Sequence, residues 1–162
     1  MQLEIPLEAV IEAARIAAQA GVRVVLDPAP ARELPDELLR NVSLLTQNET
    51  EAEMLSGERG AEAAARTLSR RTGAAVIVTL GGDGALLHEG DEAIRLPALR
   101  VEPVDTTGAG DALNGILAAE LARGAGLQEA LRWAMTGASL KTTVAGAQAG
   151  LPDRAAIAAS LG

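Results

Sequence analysis

The sequence predicts an α/β domain built on a mostly parallel sheet. Three observations carry that prediction. Short, β-branched apolar runs alternate with stretches of helical spacing, and the runs end on Gly, Pro or polar residues, as buried strands that feed loops do. The third is size: 162 residues, 48% hydrophobic and 22% charged, suffice for one compact core.

Leu7 to Ala20 places Val10, Ile11, Ala14 and Ile16 at helical spacing, and Gly21 follows as a stop. Val22 to Leu26 is then a strand ended by Asp27-Pro28, and Val42 to Thr46 repeats the pattern. A helix over Ala61 to Arg71 leads to a third strand, Ala75 to Leu80. Ala85 to His88 and Ala93 to Leu96, separated by Glu89-Gly90-Asp91, form a hairpin. Leu99 to Val104 is expected as a further strand, followed by helices over Asp111 to Arg123 and Leu127 to Val144, with Gly124 and Gly126 between them. Arg154 to Ser160 closes the chain as a last helix. A helix so near the initiator methionine is unusual for an α/β domain, and fits an arrangement whose first strands lie upstream.

Composition removes several function classes. The net charge of −8 argues against a phosphate backbone as partner, because such affinity rests on Lys and Arg neutralising phosphates. Trp133 is the only aromatic residue, so no base-stacking surface can be assembled. Lys141 is the only lysine and lies outside any G-x-x-x-x-G-K-[ST] string, which excludes a phosphate-loop ATPase. The absence of cysteine excludes disulfides and thiolate metal sites. No apolar run reaches the roughly 18 residues of a membrane helix, and the start carries no basic leader, so the expected location is the cytoplasm.

The most informative string is Asp105-Thr-Thr-Gly-Ala-Gly-Asp111, at the entry to a helix. The amides of Gly108, Ala109 and Gly110 are expected to point outward at the helix N-terminus, where unpaired donors and the helix dipole bind an anion without a basic side chain. A carboxylate there, Asp111, could accept a proton from an attacking hydroxyl. Taken as G-A-G-D alone, the string is equally a helix cap and a tight turn.

As a whole the string resembles the second signature of the ribokinase/PfkB carbohydrate kinase family, in the acid, both threonines, both glycines and the second acid. The resemblance continues in chain order. Asn48-Glu-Thr-Glu51 is similar to the family's N-x-x-E element, which implies that Asn48 and Glu51 organise Mg²⁺ and the triphosphate through water; the same residues also read as an Asn cap before an acidic first turn. Thr79-Leu80-Gly81-Gly82-Asp83-Gly84 is similar to the nucleotide loop that wraps ATP. Met135 falls at the family position bordering the adenine. Gly146-Ala-Gln148 resembles the loop that closes over the nucleotide and a monovalent cation. By that resemblance Asp105, Thr107, Lys141, Val144, Gly146 and Gly150 ligate K⁺, mainly through backbone carbonyls, an oxygen-only set suited to a hard cation. Met1-Gln-Leu-Glu4 resembles the end of a family strand whose glutamate contacts the sugar, which makes Glu4 a substrate residue beside Asp111. Asp27-Pro-Ala-Pro-Ala-Arg32 follows at ribokinase-like spacing, with Asp27 where Asn is common. Ala149 and Ile116 depart from the pattern, where proline and a small residue are usual.

The resemblance implies a ribokinase-like three-layer α/β/α fold of which residues 1–162 are one partial domain, the C-terminal, nucleotide-binding half, without the N-terminal sugar and lid half. It implies phosphoryl transfer from MgATP to a sugar hydroxymethyl group, with Asp111 as base and the amides of Gly108, Ala109 and Gly110 stabilising charge. Half a sheet leaves an open strand edge, so a homodimer or other self-association is expected. The rival is a truncated, non-catalytic nucleotide-binding fragment or scaffold. A vitamin-type kinase is disfavoured by the Asn48–Glu51 and Pro28–Arg32 strings, and a dinucleotide-binding protein by the lack of a G-x-G-x-x-G after the first strand.

Overall fold

A computed structural model describes residues 1–161. They form two compact units: Met1–Gly81 with Ala85–Arg95, and Gly82–Gly84 with the chain from Leu96 onward.

The first unit holds α1 (Leu7–Gln19), β1 (Val25–Leu26), α2 (Asp36–Leu39), β2 (Leu44–Asn48), α3 (Glu49–Ser56), α4 (Ala61–Thr72), β3 (Ala75–Thr79), β4 (Ala85–Glu89) and β5 (Glu92–Leu96). The sheet follows chain order, β1-β2-β3-β4-β5. β1, β2 and β3 are parallel, and β4 returns antiparallel to β3. Leu26, Leu45, Val76, Val78 and Leu86 share one core with Val10 and Ala14 of α1 and with Ala64, Ala65 and Leu68 of α4. Burial on both faces explains why β2 and β3 read as unbroken apolar runs.

Two strands differ from their expected spans. β1 is reduced to two residues, because the Val24 amide donates to the Ser43 hydroxyl at 3.1 Å instead of a sheet partner. β2 runs on past Thr46 to Asn48, the first residue of the N-x-x-E element. Residues 1–3 lie along β1, with the Asp27 amide donating to the Met1 carbonyl and the Leu3 amide to the Ala29 carbonyl, each at 2.9 Å. The opposite edge strand, β5, exposes Glu92 and Arg95, side chains that disfavour edge-to-edge pairing.

The second unit holds α5 (Ala109–Ala122), α6 (Leu127–Lys141) and α7 (Arg154–Ser160). α5 packs along α6, and α7 against α6. Gly137 of α6 faces side chains of both neighbours: a β-carbon there would lie 2.3 Å from Ile116 Cδ1 and 3.0 Å from Ile157 Cδ1. The bulky Ile116 is thus accommodated by a missing side chain on the neighbouring helix.

The expected strand over Leu99 to Val104 does not form. Pro97 and Pro103 each remove a ladder donor, and the amides of Val104 and Asp105 both donate to the Thr142 carbonyl, at 2.7 and 3.0 Å. α6 ends at Lys141, not Val144, because the Thr142 and Thr143 hydroxyls turn back onto the Ser139 and Leu140 carbonyls at 2.7 Å. Among the described residues no helix is long and apolar enough to cross a membrane.

Candidate functional site

In the sheet unit, the nominated residues lie at the carboxyl ends of parallel strands. Asn48 is the last residue of β2, and in the β2–β3 register it stands beside Thr79, the last residue of β3. That level of an open α/β sheet is where ligands characteristically bind. Asn48 also opens α3 through a complete capping box: its Oδ1 accepts from the Glu51 amide, and the Glu51 carboxylate accepts from the Asn48 amide, both at 2.9 Å. The bland interpretation of this string is therefore realised in full. One carboxylate oxygen of Glu51 is outside the box, and Asn48 is exposed. Leu80 and Gly81 follow, and Gly81–Asp83 form a 3-10 turn with all three residues exposed.

Glu4 is exposed, with its side chain accepting from Gln2 Nε2 at 3.0 Å. Gln47, next to the cap, is 3% exposed, and neither end of its amide has a partner among the described residues. No pattern in the sequence announces it.

In the helical unit, Gly84 is glycine for a reason internal to the fold. Its φ is +108°, and a β-carbon would sit 2.0 Å from the Leu96 carbonyl oxygen. Gly108 caps α5 in the left-handed region, at φ +77°, and a β-carbon there would meet the Ala147 carbonyl at 3.3 Å. The helix starts two residues earlier than expected, so Ala109 and Gly110 are its first residues and Asp111 lies in its first turn, exposed. The outward-pointing triplet is accordingly smaller than the sequence suggested, because the Ala109 amide is taken by the Thr106 carbonyl at 3.1 Å. Gly110 and Asp111 belong to the first turn, whose amides lack intrahelical acceptors.

Asp105 organises the loop. Its Oδ1 accepts from the Thr107 amide at 2.9 Å, and its Oδ2 from the Gly146 amide at 2.7 Å. Hydrogen bonds from the Thr107 side chain and amide, then from the Gly146 amide, hold its carboxyl well below the usual carboxylate range, with the Lys141 charge adding to the effect. Lys141 is 0% exposed, and its Nζ donates to the Asp105 carbonyl at 2.9 Å. A β-carbon on Gly150 would lie 2.7 Å from the Lys141 carbonyl and 3.2 Å from the Val144 carbonyl, so those oxygens converge where Gly150 passes. Met135 is buried, 5% exposed, in the middle of α6.

One cluster escaped sequence reasoning. Glu120 of α5, 4% exposed, receives a two-point contact from Arg154 of α7, Nε at 3.0 Å and Nη2 at 3.2 Å. The Arg154 guanidinium also lies 4.3 Å from the centre of the Trp133 ring. Three residues so far apart in the chain, each ordinary alone, give no linear signal.

The chain matches the model of the pfkB family carbohydrate kinases over residues 1–154, and it belongs to that family. Within the family it is similar to ribokinases. It is 40% identical over 159 residues to the ribokinase of Haemophilus influenzae, covering 95% of this chain and 52% of that protein. It is 42% identical over 162 residues to the bifunctional ribokinase/ribose-5-phosphate isomerase A of Fructilactobacillus sanfranciscensis, covering 96% of this chain and 30% of that protein. Its fold matches that of the Thermotoga maritima ribokinase with a TM-score of 0.91 at 37% identity, covering 99% of this chain and 55% of the other. The Arabidopsis thaliana ribokinase, solved with ribose and ATP, matches with a TM-score of 0.91 at 33% identity, covering 99% and 54%. The fold is thus ribokinase-like α/β, and the chain spans about half the length of the ribokinases it matches.

Proposed function

We propose that this chain is the nucleotide-binding part of an ATP-dependent sugar kinase that transfers a phosphoryl group to a sugar hydroxymethyl, with ribose the first candidate and fructose-like or deoxy sugars next. The observation that carries this reading is Asp111: a family signature acid, exposed in the first turn of a helix whose entry is shaped by left-handed Gly108. In this reading Asp111 takes the hydroxyl proton, and the amides of the first turn, Gly110 foremost, stabilise charge on the transferred group. Asn48 and Glu51 hold Mg²⁺ through water, and Thr79 to Gly84 border the nucleotide. Glu4 contacts the sugar. Mg²⁺ supplies charge neutralisation on the phosphates when bound. A resident K⁺ competes with the Lys141 ammonium for the Asp105 carbonyl, so it does not enter this reading.

A second reading has one fact in its favour: the chain spans about half of its relatives. It is a nucleotide-binding fragment or scaffold without turnover of its own, because transfer needs the acceptor hydroxyl held against the phosphate, and positioning supplies roughly 7–11 kcal/mol in favourable cases. Self-association through a sheet edge and a cytoplasmic location belong to the same proposal. ATP consumption with a panel of pentoses and hexoses separates the two: sugar-dependent turnover supports the kinase, and ATP binding with no turnover on any sugar supports the fragment.

A further inference from the structure

The loops around Asp105 contain a cation already. Lys141 is the only lysine in the chain, and it is spent on a position with no solvent exposure. Its Nζ donates to the Asp105 carbonyl at 2.9 Å, while the two carboxylate oxygens of the same residue are taken by the amides of Thr107 and Gly146. All three oxygens of Asp105 therefore have donors. A buried ammonium is costly unless it faces oxygens. Lysine, unlike arginine, presents a compact point charge with three donors and no planar fork, the side chain closest in form to a small monovalent ion. Its charge favours the ionised form of the Asp105 carboxyl, and a second cation beside it would be repelled.

We propose that the Lys141 ammonium serves as a built-in monovalent cation that joins Asp105 to the end of α6 and the Gly146 loop, so that this region is ordered without potassium. The inference builds on the family reading of these loops, but it concerns their order and not catalysis. Backbone oxygens do not depend on side-chain identity. Removing the ammonium leaves the Asp105 carbonyl without its donor, an oxygen that a free hard cation can take up in its place.

The test is thermal unfolding of the purified chain at constant ionic strength in potassium chloride or in choline chloride, whose cation is too large to enter. The wild-type Tm should agree between the two salts within about 1 °C, because a ligand that does not bind the native state cannot raise its Tm. Lys141→Met, and Lys141→Gln as a second variant, should have a lower Tm in choline, and potassium should raise it in a saturable way by several degrees. A variant that folds only in potassium supports the inference equally. A potassium-dependent rise in the wild-type Tm overturns it. So does a pair of variants that potassium fails to restore, because a mobile cation should replace the charge removed. Since the readout is stability, it stands apart from whether the chain turns over ATP.

Discussion

Arg154 grips Glu120 at two points, Nε to Oε1 at 3.0 Å and Nη2 to Oε2 at 3.2 Å, and so fixes the start of α7 to the far end of α5. Glu120 is nearly inaccessible, whereas about half of the Arg154 side chain is exposed. The chain from Thr142 to Asp153, which carries Gly146, is thereby anchored at both ends: to Asp105 through Lys141 and to α5 through Arg154.

The Arg154 hydrogen bonds, outweighing the effect of burial, lower the Glu120 pKa. A depressed folded-state pKa contributes stability that is present above the ordinary value of about 4.3 and is lost as pH falls through the folded value. Glu120→Gln should therefore cost about 1–3 kcal/mol at pH 7 in urea unfolding and should flatten the stability loss below about pH 4. An unchanged acid limb in the variant contradicts the ion pair.

Gly84→Ala should be among the most damaging single changes, because the new methyl meets the Leu96 carbonyl at 2.0 Å and φ is +108°. A loss of roughly 2–4 kcal/mol is expected. Urea unfolding that shows less than about 1 kcal/mol would mean that the loop is free to relax.

Gly137→Ala pushes a β-carbon to within 2.3 Å of Ile116 Cδ1. Overpacking of this kind costs about 1–3 kcal/mol. Ile116→Val removes the clashing methyl, so the double variant should recover part of that loss. A double-mutant cycle with no coupling rules out the contact as the source.

Asp111→Asn tests the base. In a complete enzyme carrying this half, turnover should fall by about 10²–10⁴-fold while ATP affinity is retained. Undiminished turnover removes Asp111 from the reaction.

Much of the fold could be read from periodicity, and the failures share a cause. α7 falls on Arg154–Ser160 as expected, and the hairpin turns at Gly90–Asp91, within the expected Glu89–Asp91, because local spacing and turn residues determine both. Leu99 to Val104 looked like a strand by its apolar residues, yet its end amides were claimed by Thr142, a partner far along the chain. A similar separation hid the role of Lys141: the sequence offers a lysine near the end of a helix, and only the fold aims its side chain at Asp105, 36 positions upstream. The family motifs were legible because each is contiguous. The Glu120–Arg154–Trp133 cluster was not, since it draws on three helices.

Calorimetric titration of ATP with Mg²⁺ into the purified chain tests the nucleotide-binding reading most directly. Saturable binding is expected in both the wild type and Asp111→Asn, and it should weaken when Asn48 or Glu51 is replaced by alanine. No saturable heat, or binding indifferent to both Asn48 and Glu51, would contradict a nucleotide site at the ends of β2 and β3.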